Sequence, residues 1–202
     1  MGCWQSGKVL VKPRSADDDN LNEMADTGLP DPVPPAPTDP RLPLDARQVF
    51  KLKKSWKGIK RCMEDTGVEM FIRMFKRKEE IKGIFTKFEH LKNDDEMRMD
   101  ETFEKHATLV MGTLDEIISN IDNVDYIFSI IKTMGERHVR IPNFKQDFIM
   151  EIEQPFLEAV KLTLGDRYTD NMDSIYKITI KFILETFVKS YGEAEKARAA
   201  ER

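Results

Sequence analysis

Cysteine is nearly absent from this sequence: Cys3 and Cys62 are the only two in 202 residues. Two cysteines make no disulfide framework, so a small secreted scaffold is excluded and a reducing, cytosolic setting is expected. Long apolar runs are missing too. No stretch approaches the roughly 20 residues that cross a bilayer as a helix, and no signal-peptide core is visible. Positive charge is not in excess, since 32 Lys and Arg against 36 Asp and Glu leave a net charge of -4. That balance offers nucleic acid no electrostatic footprint, and no nucleic-acid partner is expected. Alternating strand patterns and internal repeats are also lacking. Phenylalanine is absent from the first 49 residues, because all twelve lie at Phe50 or beyond.

The same N-terminal stretch is rich in proline and acid. Seven of the ten prolines fall between Pro30 and Pro43, after the run Asp17, Asp18 and Asp19. Such a segment cannot bury enough apolar surface to fold, so residues 1–43 are expected to form a disordered, extended tail. The domain is expected over residues 44–191, with a charged extension over 192–202.

From Leu44 the period is helical. In "LDARQV", Asp45 can cap, Gln48 can reach back and Leu44 can pack on Val49 as a staple. Val49, Leu52, Trp56, Ile59 and Met63 then share a face. "EDTG" reads as the break before a second helix bearing Met70, Phe71, Met74 and Phe75. After the corner "IFTKFEHLKNDD", a long helix carries Phe103, His106, Ala107, Val110, Leu114, Ile117, Ile118 and Ile121. A shorter helix, with Asp122 as its expected cap, holds Ile127, Ile131, Met134 and His138. Phe148, Ile149, Ile152, Phe156 and Val160 mark a fifth helix, in which Pro155 would remove a hydrogen bond at about 3 kcal/mol. Met172, Ile175, Thr179, Phe182, Ile183 and Phe187 mark the last. The fold class is all-α.

Two of these apolar stripes carry a histidine. A titratable ring facing a core is unfavourable unless something binds it. His106 and His138 could each be a core histidine satisfied by a backbone carbonyl. Zinc would need three or four ligands, and no third is evident, with Cys62 isolated and His90 in a charged corner. Heme asks for one or two axial groups in an apolar, aromatic pocket, which these stripes supply. A flat macrocycle between the two helices would leave one imidazole on each side of the iron.

At this point the sequence resembles the globin family over about residues 44–191. The resemblance rests on Trp56, "GVEMFIRMF", "IFTKF" at the corner, "HATLV", "MGERH" and "LG" at 164–165. The histidine spacing is similar to that of the neuroglobin and acylated, membrane-associated globin X groups. The resemblance implies a three-on-three helical sandwich binding heme b. It makes His138 the proximal iron ligand and His106 the distal histidine. Phe85 becomes the corner phenylalanine on the heme face. Phe71 and Val110 line the distal pocket, while Met134 and Phe144 make proximal and edge contacts. Leu109 departs from the family, standing where a basic residue often meets a heme propionate. Arg137 and Arg140 could supply that contact or be ordinary solvated charge. Pro155 is unusual for the family as well.

"MGCWQS" matches the acylation pattern M-G-x-x-x-[ST]. One myristoyl chain on Gly2 anchors only marginally, with an association constant on the order of 10^4 per molar. A palmitoyl group on Cys3, followed by Lys8, Lys12 and Arg14, would complete attachment to an anionic inner leaflet. The expected function is therefore reversible binding of oxygen or another diatomic gas (NO or CO), at the cytoplasmic face of the plasma membrane with some protein cytosolic. The alternatives are a bis-histidine heme redox protein or enzyme, served by a reductase, and a heme-free helical adaptor. Gas binding is preferred because no acid–base partner beyond His106 is evident.

Overall fold

A computed structural model describes residues 38–201 of the protein. The acylation pattern with Gly2 and Cys3, and most of the proline-rich segment, lie outside these residues. Among the described residues the structure is all-α, without a strand.

Helix α1 (Ala46–Lys60) begins as its sequence dictates. The Gln48 N–H donates to Asp45 at 2.7 Å, and the Asp45 N–H donates back to Gln48 Oε1 at 2.9 Å. Val49, Leu52, Trp56 and Ile59 turn inward. The Trp56 indole also donates to Asp115 at 2.8 Å, and Lys60 pairs with that carboxylate, so α1 is pinned to α5 (Glu101–Ser119). Cys62 stands at the start of α2 (Met63–Arg77) and is not a free thiol, against the expectation of reduced cysteines.

The break between α1 and α2 falls at Arg61–Cys62, so "EDTG" lies inside α2 rather than before it. Gly67 is there for packing. A Cβ on it would come within 2.8 Å of Met111 Cγ and 3.0 Å of the Ala107 carbonyl oxygen, which shows how closely α2 lies on α5. Two short helices, α3 (Glu79–Lys82) and α4 (Asp94–Met99), and a 3-10 turn at Thr86–Phe88 make the corner.

Asp100 caps α5, accepting the Phe103 N–H at 2.7 Å. Helix α6 (Val124–His138) is capped by Asn123, not by Asp122. The Asp122 carboxylate is drawn off by Lys53, 2.7 Å away, which leaves the Asn123 amide oxygen to take the Tyr126 N–H.

The expected fifth helix is two, α7 (Asp147–Met150) and α8 (Glu153–Leu164). Pro155 is the third residue of α8. First-turn N–H groups have no acceptor within their helix, so proline there removes no hydrogen bond. Helix α9 (Asp170–Ala200) then runs uninterrupted through residue 191.

The helices stack as a three-on-three sandwich, with α1, α5 and α6 against α2, α8 and α9. The tightest crossing is α6 on α9. A Cβ on Gly135 would lie 2.8 Å from the Ser190 carbonyl carbon, so the helix that ends in His138 is seated directly on α9 backbone. Gly135→Val should destabilise the fold by about 1–3 kcal/mol through overpacking. Gly112→Ala, whose added methyl meets nothing within 4 Å, should instead stabilise by about 0.5–1 kcal/mol. Urea unfolding followed by helical circular dichroism measures both, and equal effects would refute this account of the α6–α9 contact.

Candidate functional site

His138 is the last residue of α6. Its Nδ1 lies 2.8 Å from the carbonyl oxygen of Met134, one turn earlier. A carbonyl can only accept, so Nδ1 carries the proton and Nε2 keeps its lone pair. Burial holds the imidazole pKa below its ordinary value; the Met134 bond opposes this and the charge of Arg137 adds to it. The ring is thus neutral at pH 7, with a free ligating nitrogen. Phe144 and Phe187 stand edge-on to it, with ring centroids at 5.1 and 4.9 Å.

His106 projects from α5 into a second aromatic collar. Its ring centroid is 5.3 Å from Phe71, 5.2 Å from Phe85 and 5.7 Å from Phe88. Burial, then the charges of His138 and Lys87, lower its pKa, so this imidazole is neutral as well. Among the described residues no protein group hydrogen-bonds His106. Each histidine is half-buried, and His138 has the backbone-carbonyl partner that a core histidine would find.

Of the other residues expected at the site, Phe71 is buried at the centre of the distal collar. Phe85, Val110, Met134 and Phe144 are half-buried and pack against the core. Leu109 is 68% exposed and gives no charge to this edge. Arg137 acts on His138 through its charge, but Arg140 lines a separate cleft between α6 and α9. Phe88, Phe187 and Lys87 belong to the site and were not expected there. Phe88 and Lys87 lie within the quoted "IFTKF", whereas the only signal for Phe187 was its place on the last apolar stripe.

Two neutral imidazoles, carried by different helices and ringed by separate aromatic collars, fit a planar group that needs only axial ligands. Among the described residues no cluster of three or more His, Cys, Asp or Glu is placed to hold a bare metal ion. The fold and the site thus define an all-α protein suited to a porphyrin. The chain belongs to the globin family, whose family model matches residues 68–187, more than half of its length.

Among its relatives, cytoglobin-1 of Oryzias latipes is 26% identical over 96 residues, covering 48% of this chain and 54% of that protein. The chain therefore spans about half the length of this relative. Neuroglobin of Dissostichus mawsoni is 22% identical over 143 residues, covering 69% of this chain and 89% of that protein. The crystal structure of a hexacoordinated heme protein from an anhydrobiotic tardigrade superposes with a TM-score of 0.74. It is 36% identical and covers 77% of this chain and 99% of that one.

His138→Ala should abolish stable heme retention, with free imidazole partly restoring it. A variant that kept the parent's heme content and spectrum without imidazole would overturn the assignment of Nε2.

Proposed function

We propose that this protein binds heme b between His138 and His106 and through it takes up oxygen or another diatomic gas reversibly, at the cytoplasmic face of the plasma membrane. The observation that carries the reading is the Nδ1 bond of His138, which leaves Nε2 as a lone pair aimed away from its own helix. Bound there, heme would supply an iron able to take an imidazole and a small gas ligand. His138 would hold that iron, and Phe144 and Phe187 limit rotation of its ring. On the other face His106 would meet either the iron or the incoming gas. Phe71, Phe85 and Val110 keep that side apolar and exclude water, and Met134 lines the proximal side. Lys87 and Arg137 offer positive charge for the heme carboxylates in place of Leu109.

A second reading has its own support. His106 is neutral, hydrogen-bonded by no protein group among the described residues, and thus available as a sixth ligand. The similar tardigrade protein is described as hexacoordinated. A bis-histidine iron would favour redox work with a reductase, such as nitrite reduction, nitric oxide dioxygenation or redox sensing. The visible spectrum of the ferrous, ligand-free protein decides the coordination. Turnover with nitrite or nitric oxide and a reductant then decides between carriage and chemistry.

Attachment to the membrane would come from myristate on Gly2 and palmitate on Cys3. The chain has two cysteines, Cys3 and Cys62, and palmitate on Cys3 requires that its sulfur is not in a disulfide.

His106→Leu should retain heme but change carbon monoxide association or the autoxidation rate; unchanged values for both would mean that the ring points elsewhere. Gly2→Ala should release a C-terminally tagged protein from membranes, and Cys3→Ser should leave it cycling between cytosol and internal membranes. Membrane association of Gly2→Ala at the parent's level would exclude acylation as the anchor.

A further inference from the structure

Although the chain as a whole carries an excess of acid, one stretch carries none. Between Asp45 and Glu64 there are seven Lys and Arg and no carboxylate. Nearly all of this stretch is α1. Its inner face is spent on the core, with Leu52, Trp56 and Ile59 fully buried. Two of its cations serve the fold, Lys53 on Asp122 and Lys60 on Asp115.

The outer face is different. Arg47, Phe50, Lys54 and Lys57 recur at three- and four-residue spacing, so they share one side of the helix. All four are exposed, with Lys51 at their flank. Among the described residues none of these five side chains is held by a carboxylate. A further cation joins the face from outside α1. Arg167 lies over Gly58, where an added Cβ would be 3.2 Å from its guanidinium. In the middle stands Phe50, 65% exposed, an aromatic ring in a row of cations.

We propose that the outer face of α1 is a docking surface for an anionic lipid bilayer. The cations would sit at the level of the lipid headgroups, and Phe50 would enter the acyl boundary. Three observations favour lipid over an acidic protein. The charge is spread along a convex helix face rather than around a pocket. The single apolar side chain is a lone projecting ring, which suits insertion rather than a packed protein contact. The chain outside the described residues also ends just before α1, so an anchored N-terminus would deliver this face to the surface first. The inference extends the membrane-side reading but does not depend on acylation, because the face belongs to the folded domain.

The test uses the full chain, loaded with heme and produced without acyl groups, in flotation with vesicles. Phosphatidylcholine vesicles containing phosphatidylserine should capture it, and pure phosphatidylcholine vesicles should not. Salt at about 1 M, where the screening length is about 3 Å, should release it. Replacing Lys54→Glu together with Lys57→Glu should lower the partition coefficient about 30-fold or more, from the attraction lost per basic residue. Phe50→Ser should lower it severalfold while leaving the salt dependence unchanged. The matched reversal Lys132→Glu with Lys189→Glu, away from α1, should have little effect.

Equal capture by both vesicle types, or an equal loss with the matched reversal, would overturn the proposal. Absence of vesicle binding together with a Lys54- and Lys57-dependent complex with polyglutamate would also overturn it, in favour of an acidic polypeptide partner. An unchanged heme spectrum in every variant shows that the fold survives. Since no acyl chain is present, failure here leaves the Gly2 anchor and the heme reading standing.

Discussion

The hydrogen bond from His138 Nδ1 to the Met134 carbonyl is the constraint on which the site depends. It selects one tautomer, fixes the ring about its bond to the backbone and leaves Nε2 as a base. An imidazole of the other tautomer would present a proton where a metal requires a lone pair. The bond joins two residues of one helix, so its orientation in the molecule is set by how that helix is seated. Gly135 decides this. Lying between Met134 and His138 in sequence, it allows α6 to rest on the backbone of α9 at Ser190. One small residue and one carbonyl thereby place His138 Nε2.

The distal side is arranged on another principle. Among the described residues His106 has no protein hydrogen bond, and its position is held by ring packing against Phe71, Phe85 and Phe88. Edge-on aromatic contacts are worth about 0.5–1.5 kcal/mol each beyond burial and impose less direction than a hydrogen bond. A ring held that way can shift when a ligand competes for the same space. One imidazole is thus oriented by a hydrogen bond and the other by ring packing alone among the described residues. Both are kept neutral by the same low-dielectric surroundings.

Helix α1 shows how one element can serve two environments. Its inner stripe is fastened to α5 by the Trp56 indole on Asp115 and to α9 by the Ser55 hydroxyl, 2.9 Å from the Tyr176 hydroxyl. With the helix secured from inside, its outer charges are not needed for folding. Surface ion pairs contribute little to stability in any case. The outer composition is thus free to answer to something beyond the domain.

Local patterns were enough for much of this protein. The capping pair Asp45 and Gln48, the helical stripes and the placement of two histidines on apolar faces all follow from neighbours within four residues. The resemblance carried by "GVEMFIRMF", "HATLV" and "MGERH" rests on the same local words. Where the sequence misled, a distant contact had intervened. Gly67 reads as a break until α5 is brought against it, and Asp122 reads as a cap until Lys53, 69 positions earlier, claims its carboxylate. Pro155 reads as a mid-helix fault because the chain's own restart at Glu153 leaves no mark in the periodicity. The membership of Phe187 in the site was illegible for the same reason. An apolar residue on an amphipathic helix looks alike whether it faces a core or an imidazole, and only the crossing of α9 over α6 separates the two. Sequence by itself determined which faces are apolar, since that depends on a period of 3.6 residues. Tertiary structure decided which apolar faces meet, because close packing between helices is set by shape at single positions such as Gly135 and Ser190.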